Sequence, residues 1–353
     1  MRSSEPRGVH LVGSVPLADA GEVMGAAAGI LGAHLRRIPD GETGDRTNWI
    51  HWQYPKLVGH VGLEPDPEVP ARALPSSEEG QATTFEVKVL RTRPGVDPAA
   101  LTFDTGYAQQ AIASYATFAE LKRSGRIAAD VRFQVSVPTP FAIMVAFISP
   151  RQQLPLLPAL ERSFVAEVER ITQAIPHEEL AIQWDVCLEV LAWEGLFHLE
   201  AEDSKGLMLS MLGRLGDAVP KGVELGYHLC YGDPGHRHIL EPKDTGVMTE
   251  MANGLARVVE RPIHWLHLPV PKERTDDAYF RPLRELALRP ETELYLGLVH
   301  RTDGLNGARA RIDAARRVVA SFGVAAECGF GRRPADTVRP LMELHAECAR
   351  PVR

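Results

Sequence analysis

Residues 223–233, which read VELGYHLCYGD, decide how this sequence folds. A short apolar run bounded by glycine and acidic residues predicts a buried strand, and the run ends in a histidine and a cysteine two positions apart. Residues two apart on a strand share a face, so the side chains of His228 and Cys230 point in the same direction. If the strand belongs to a parallel barrel, both side chains reach the mouth where such barrels keep their active sites.

Seven further runs rich in Val, Ile and Leu alternate with stretches of helical periodicity, and this alternation predicts βα units around a parallel sheet. Eight strands is the number in a (β/α)8 TIM barrel, which is therefore the predicted fold. In chain order the eight predicted strands are Val9–Pro16, His34–Gly41, Arg132–Pro140, Leu180–Glu189, Val223–Asp233, Pro262–Pro271, Glu293–His300 and Val324–Gly331. The main predicted helices are Leu157–Ile175, Ser204–Val219, Thr245–Glu260, Asp277–Leu288 and Gly304–Phe322.

One connection is too long for a simple βα loop. Residues 49–129 contain a proline-rich stretch, a strand-like run at Thr84–Leu90 and a helical pattern near Tyr107–Ser124. We interpret them as an insertion after the second strand of a single barrel domain covering residues 1–353. The alternative is an open doubly wound sheet, but no G-x-G-x-x-G follows the first strand, which weakens a nucleotide-binding interpretation.

Composition favours chemistry on small molecules. The 353 residues are 44% hydrophobic and 24% charged, with a formal net charge of −7 and no long basic cluster. A nucleic-acid or anionic-membrane partner would require a basic surface, so neither is expected. The first residues lack a signal-peptide pattern and no long apolar run spans a membrane, so we expect a cytoplasmic protein.

The four cysteines, Cys187, Cys230, Cys328 and Cys348, are too few for a disulfide framework. Cys328 lies on the last predicted strand and is followed by glycine, so a second thiol approaches the mouth that His228 and Cys230 face. Thiolate and imidazole are the ligands that zinc prefers, although most free cysteines are simply small core residues. A zinc site is therefore a hypothesis that needs a second observation.

The order of these motifs supplies that observation, because it resembles the catalytic domain of cobalamin-independent methionine synthase, in the superfamily that also holds uroporphyrinogen decarboxylase. In that family H-x-C on one strand and a distant Cys-Gly on the last strand hold a zinc ion, which implies His228, Cys230 and Cys328 as ligands. The family's remaining ligand is a glutamate on the sixth strand. Here His267 lies near that position, and Glu273 in the following loop is the alternative.

Three other segments resemble family elements that hold the substrate. Leu11–Pro16 is similar to the G-S-x-P element, which implies that Gly13 and Ser14 bind the carboxylate end of the substrate. Glu42 after the second strand and Asp185 in Ile182–Asp185 match acidic positions that bind its amino group. Ordinary structural roles, such as helix capping by Glu42, are the alternative for each residue taken singly.

The resemblance also implies a residue near the reacting centre. Leu298–Asp303 is similar in place to the family's D-x-H-S segment, so His300 is a candidate proton donor, since imidazole titrates near neutral pH. Two departures stand out: the D-E-P that follows the fourth strand reads Asp185-Val186-Cys187 here, and Ala146 replaces a tryptophan that stacks on folate. A folate donor is therefore not expected.

The sequence thus predicts a zinc-dependent transferase whose partners are a small thiol and an alkyl donor. Zinc keeps a coordinated thiol deprotonated, and the resulting thiolate attacks the donor carbon while Asp185 holds the substrate. An epoxide-opening thiol transferase of the same superfamily is one alternative, and a non-catalytic zinc- or thiol-binding barrel is another. The uroporphyrinogen decarboxylases use no zinc, so His228, Cys230 and Cys328 argue against that branch.

Overall fold

The structure is a computed structural model that describes residues 5–78 and 81–353. Its strands are, in chain order, β1 (Arg37–Pro39), β2 (Leu63–Pro65), β3 (Arg72–Glu78), β4 (Gln81–Val87), β5 (Leu90–Thr92), β6 (Arg132–Pro138), β7 (Leu180–Val186), β8 (Glu224–Leu229), β9 (Trp265–Pro269), β10 (Glu293–Gly297) and β11 (Gly323–Val324). Its α-helices are α1 (Ala20–Leu31), α2 (Gln53–Val58), α3 (Tyr107–Arg123), α4 (Pro140–Phe147), α5 (Pro150–Ala174), α6 (Leu188–Trp193), α7 (Ser204–Asp217), α8 (Gly246–Val258), α9 (Asp277–Phe280), α10 (Gly304–Arg316) and α11 (Val338–Cys348).

Seven strands form one parallel sheet in the order β1-β6-β7-β8-β9-β10-β11, so each strand of the sheet lies beside the next one in the chain. All seven residues of β7 are buried. A parallel strand covered on both faces reads as a nearly continuous apolar run, which is why the periodicity locates these strands. Because every strand runs the same way, their carboxyl ends lie at one edge and bring residues distant in sequence together.

The first predicted strand is the main difference from the expected eight-stranded barrel. In residues 9–16 only Val9 forms bridges, one to Leu35 beside β1 and one to Val324 in β11, both parallel. Further along, side chains satisfy the carbonyls of Leu11 and Val12, although Val15 N still donates to the Gly41 carbonyl at 2.7 Å. Gln134 Nε2 donates to the carbonyls of Leu11 and Val12 at 3.0 and 2.9 Å, so this segment leaves the strand ladder. The described residues therefore show a seven-stranded sheet. Residues 9–16, which we call the bridging segment, lie between its two edges.

The last predicted strand is also shorter than expected. β11 ends at Val324, and residues 325–331 continue as a loop against Ser14, where Phe330 N donates to the Ser14 carbonyl at 2.6 Å. Added side chains on Gly329 and Gly331 would overlap the Ser14 side chain, so both positions require glycine for this close approach. The Cys-Gly pair is thus explained by packing as well as by chemistry.

The helices agree better with the sequence. Predicted helices at 157–175, 204–219, 245–260 and 304–322 are confirmed with shifted ends, whereas the predicted 277–288 is only α9 followed by a short 3-10 helix at Arg281–Glu285. Local capping explains where α4 and α7 begin. The side chain of Thr139 accepts from Ala142 N before α4, and that of Asp203 accepts from Gly206 N before α7.

Residues 49–129 contain α2, two antiparallel strand pairs (β2 with β5, β3 with β4) and α3. The predicted strand at 84–90 is two strands, since β4 ends at Val87 and β5 begins at Leu90, and the predicted helix at 107–124 is confirmed as α3. The β3–β4 hairpin lies over the carboxyl end of β8, where Gly235 N donates to Ser77 Oγ at 2.6 Å. Across residues 5–78 and 81–353, no helix combines the length and apolar character needed to cross a membrane.

Candidate functional site

A pocket that opens to solvent lies at the carboxyl ends of the sheet strands. Its walls combine residues from the bridging segment, the loop after β1, the β3–β4 hairpin and the ends of β7 and β8. Seven of the sequence-predicted site residues line it: Gly13, Ser14, Glu42, Asp185, His228, Cys230 and Cys328. The predicted His267 and His300 are not in its lining.

At one wall, His228, Cys230 and Cys328 form what we call the thiol–imidazole trio. One ligand atom from each residue lies within 4.8 Å of the other two. The sulfurs of Cys230 and Cys328 are 3.7 Å apart, and Cys328 Sγ is 3.7 Å from His228 Nε2. The H-x-C pair sits at the end of β8, and Cys328 arrives from the loop after β11.

His267 lies behind His228 and determines which nitrogen His228 presents. The Nε2 atom of His267 donates to the Ala326 carbonyl at 2.9 Å, and burial lowers the pKa of His267 to about 4. Its Nδ1 is therefore an acceptor in the neutral ring, and His228 Nδ1, 2.6 Å away, donates to it. The lone pair of His228 is left on Nε2, the atom that faces Cys328.

The thiols of Cys230 and Cys328 carry little negative charge when no cation is bound between them and His228. A hydrogen bond with Cys187 is the largest cause that raises the pKa of Cys230, and a hydrogen bond with Cys230 followed by burial raises the pKa of Cys328. Arg332 opposes this effect, since its Nη2 donates to Cys328 Sγ at 3.2 Å. A nearby cation is thus already part of the site, and a second one would complete the deprotonation of the thiols.

Glu42 also lines the pocket and sits on a constrained loop after β1. Its φ of 48° is in the left-handed region, and its backbone N–H donates to Asp40 Oδ1 at 2.9 Å. Asp40 is held in turn by Arg46 at 2.9 Å and by the Ser114 hydroxyl at 2.8 Å. Burial raises the pKa of Glu42 to about 7, against the opposing effects of Arg46 and Arg332. The carboxyl is therefore close to half ionised at neutral pH.

Asp185, at the end of β7, is the second pocket carboxyl. Burial first, and then the negative charge of Glu42, raise its pKa well above the ordinary value. Its Oδ1 accepts from Gln183 Nε2 at 2.9 Å, and Gln183 also donates to the Val12 carbonyl, so the strand interior positions this side chain. Burial raises the pKa of both pocket acids and the charge of Glu42 raises that of Asp185 further, so the pocket is suited to a cationic group.

Three predicted residues lie outside the pocket. His300 directs Nε2 to the Val270 carbonyl at 2.8 Å and Nδ1 toward Glu327 at 3.2 Å. His267 is buried against His228, and Glu273, the alternative fourth ligand, is exposed beside Lys272 at 3.2 Å. The roles of His300 as proton donor and of His267 as ligand remain predictions.

The sequence reasoning missed several pocket residues. Arg332 belongs to the Gly-Arg-Arg that follows Cys328, and it also donates to Asp233 Oδ2 at 3.3 Å. Trp49 and His51 come from the loop after β1, and Leu74 comes from the hairpin. The Gly-Arg-Arg was a visible signal for Arg332, whereas nothing local in the sequence places the hairpin over β8.

The fold and the pocket together define an α/β protein whose pocket holds a thiol–imidazole group and two acids. No family model and no curated protein matches this chain. Solved structures that share the fold include a candidate vitamin-B12-independent methionine synthase from Listeria monocytogenes, with a TM-score of 0.56 and 13% sequence identity, covering 98% of this chain and 99% of that chain. They also include a B12-independent methionine synthase from Shewanella sp. W3-18-1 in complex with selenomethionine, with a TM-score of 0.58 and 10% identity, covering 97% of this chain and 96% of that chain. A methyltransferase from Methanosarcina mazei has a TM-score of 0.53 and 13% identity, covering 98% of this chain and 95% of that chain. At these identities the likeness establishes the fold alone.

Proposed function

We propose that this protein is a zinc-dependent transferase that activates a small thiol and moves an alkyl group, in the simplest case a methyl group, onto its sulfur. The observation that carries the proposal is the thiol–imidazole trio in a pocket that Glu42 and Asp185 also line. The resemblance of the motifs and the shared fold of methionine synthases and a methyltransferase support it. We also propose a single (β/α)8 barrel, with the bridging segment as its eighth strand and residues 49–129 as an insertion.

The donor atoms of the trio fit zinc. Tetrahedral Zn²⁺ with Zn–S distances of about 2.3 Å separates two thiolate sulfurs by about 3.8 Å. The observed separation of Cys230 and Cys328 is 3.7 Å, and His228 presents a lone pair to the same space. Three protein ligands leave one coordination position for a substrate, as catalytic zinc sites require. We therefore assign His267 to the orientation of His228, although direct ligation by His267 was the prediction from the sequence.

Bound zinc would supply a cation that keeps a coordinated thiol deprotonated at neutral pH. The chain's own residues do the rest. Glu42 and Asp185 hold an ammonium group of the acceptor thiol, which positions its sulfur toward the trio. Arg332, beside Cys328, offsets the negative charge that gathers there.

The proposed alkyl transfer needs no oxidant or reductant. The acceptor sulfur loses its proton and forms a bond to the donor carbon, while the bond between that carbon and its leaving group breaks and the leaving group takes the electron pair. The thiol proton leaves to solvent through the open side of the pocket, so that Glu42 stays ionised beside the ammonium. We propose Asp185 as the group that keeps the ammonium in place during this step.

A second candidate function is the opening of an epoxide by an activated thiol. Ala146 lines the pocket, and it stands where a folate-stacking tryptophan would be expected, so the donor need not be a pterin. The trio serves both reactions equally well, but an epoxide enzyme needs no ammonium clamp. The clamp of Glu42 and Asp185 favours the amine-bearing acceptor.

Metal content and thiol alkylation test the proposal together. We expect about one zinc per chain at the trio, and alkylation of a bound thiol that depends on it. Cys328→Ser should lower both zinc affinity and alkylation, while Cys348→Ser, in α11 and outside the pocket lining, should change neither. Full zinc affinity in Cys328→Ser would refute the site. Zinc binding without turnover of any thiol and donor pair would favour the non-catalytic alternative.

A further inference from the structure

A second group of metal-binding side chains lies beside the trio and has no part in the proposed reaction. One ligand atom each from Asp233, His236 and Glu327 lies within 4.8 Å of the other two. We call these residues the acceptor cluster. Asp233 and Glu327 are each 5% exposed, and His236 comes from the short 3-10 helix Pro234–His236 that follows β8.

Each member of the acceptor cluster has one buried atom without a hydrogen-bond partner in the described part of the chain: Asp233 Oδ1, His236 Nε2 and Glu327 Oε2. The other carboxylate oxygens are occupied, since Asp233 Oδ2 accepts from Arg332 at 3.3 Å and Glu327 Oε1 accepts from Arg333 at 2.9 Å. Each arginine therefore binds the oxygen of its acid that is not one of the unpartnered atoms.

Asp233 Oδ1 and Glu327 Oε2 are carboxylate oxygens, which can only accept. His236 turns Nδ1 toward the same acids, 3.4 Å from Asp233 Oδ2, so the neutral ring presents a lone pair there when its proton is on Nε2. His300 approaches Glu327 Oε2 at 3.2 Å, but its Nε2 donates to the Val270 carbonyl. A proton on His300 would satisfy Glu327 and would still leave Asp233 Oδ1 without a partner.

Buried carboxylate oxygens without donors are costly, and a cation between the two carboxylates and His236 Nδ1 would satisfy them together. We propose that Asp233, His236 and Glu327 bind a second divalent metal ion, distinct from the ion assigned to the trio. One imidazole and two carboxylates are a nitrogen and oxygen donor set suited to Mn²⁺, Fe²⁺ or Zn²⁺, whereas the trio with its two thiols favours Zn²⁺.

The two sites are neighbours. His228 and Cys230 at the end of β8 are followed by Asp233 and His236, and Glu327 directly precedes Cys328. The Nη2 atom of Arg332 contacts both Asp233 Oδ2 and Cys328 Sγ. Asp233 also lines the pocket, so the second ion would place a positive charge where an anionic group of a substrate can bind.

A titration of the zinc-loaded full chain with Mn²⁺ tests this site, with bound Mn²⁺ measured by electron paramagnetic resonance. Manganese prefers oxygen ligands and competes poorly for the two thiols of the trio. We expect about one bound Mn²⁺ per chain, with affinity at least tenfold weaker in His236→Ala and in Asp233→Asn. His238→Ala is the matched control, because His238 lies in the same loop but bonds to Glu241 at 3.3 Å, and it should bind Mn²⁺ normally.

Absence of Mn²⁺ binding would mean that water fills the acceptor cluster, and equal binding in the wild type and His236→Ala would mean adventitious surface binding; either result overturns the second site. Zinc measured in the same samples separates this proposal from the function proposed above. Bound Mn²⁺ with no zinc at the trio would refute the transferase proposal alone, and one zinc without Mn²⁺ would refute the second site alone.

Discussion

Replacing Glu42 by glutamine should weaken binding of an amine-bearing thiol and leave a matched thiol without the amine almost unchanged. The reason is that Glu42 and Asp185 line the same pocket and burial raises the pKa of both carboxyl groups, an effect that a bound ammonium would oppose. Zinc content should stay constant, because neither residue belongs to the thiol–imidazole trio.

The structure gives the magnitude. Burial raises the pKa of Glu42 from 4.5 to about 7. That difference is worth about 3 kcal/mol of repulsion and desolvation in the ionised, empty pocket, most of which an ammonium can offset. Loss of one charge-assisted contact costs roughly 1.5–3 kcal/mol, so Glu42→Gln should weaken the amine-bearing thiol about ten- to a hundredfold.

The same pKa predicts a pH dependence. Below about 7 the Glu42 carboxyl is protonated and must release its proton before it binds an ammonium. Affinity for the amine-bearing thiol should therefore rise about tenfold between pH 6 and pH 8 and level off above that range. In Glu42→Gln this part of the pH dependence should disappear.

Isothermal titration calorimetry of the zinc-loaded protein with 2-aminoethanethiol and 2-mercaptoethanol checks both expectations. The second thiol measures the pH dependence that any coordinated thiol shows, because it lacks only the amine. Glu68→Gln is a matched control, since Glu68 is exposed beside Arg151 and away from the pocket. Equal losses for the two thiols in Glu42→Gln would refute the ammonium clamp and favour the epoxide-opening function.

Three further predictions concern the same pocket. His267→Ala should lower zinc affinity about ten- to a hundredfold through the lost orientation of His228, while His264→Ala, on the same strand segment, should not; equal zinc affinities by competition with a chelator would contradict this. The folded state favours the neutral Glu42 carboxyl, because burial raises its pKa from 4.5 to about 7. Ionisation of Glu42 therefore costs no stability below about pH 4.5, and its full cost is reached as pH rises through about 7. Glu42→Gln should therefore raise the free energy of unfolding by on the order of 2 kcal/mol at pH 8 and hardly at pH 4, as urea denaturation of the metal-free protein would measure. Since Ala146 lines the pocket without an aromatic ring, methyltetrahydrofolate should be a poor methyl donor compared with another alkyl donor, and folate turnover as efficient as with every other donor tested would disprove this.

The sequence by itself determined the features that depend on local periodicity. Apolar runs and helical stretches located seven strands of the parallel sheet and most helices, because a strand buried on both faces must be apolar throughout. The spacing of two residues in His228-Leu229-Cys230 determined that both side chains share a face, which holds for any strand. The order of the motifs then brought Cys328 to the same pocket, 3.7 Å from both partners.

Only the tertiary structure decided how the remaining groups are partnered. Residues 9–16 read as a strand, but Gln134 and Gln183 reach across the interior and take the carbonyls of Leu11 and Val12, a choice that no local pattern contains. The β3–β4 hairpin forms a wall of the pocket because Ser77 meets Gly235, more than a hundred residues away.

The two histidines outside the pocket show the same limit. The sequence placed His267 and His300 on neighbouring strands near the site, yet which way each ring turns depends on the carbonyl that accepts its Nε2 proton, Ala326 for one and Val270 for the other. The acceptor cluster likewise joins Asp233 and His236 after β8 to Glu327 beyond β11. Hydrogen-bond partners and electrostatic neighbours are set by contacts between distant segments. For that reason the sequence predicts which chemical groups reach the site, but not which role each of them takes there.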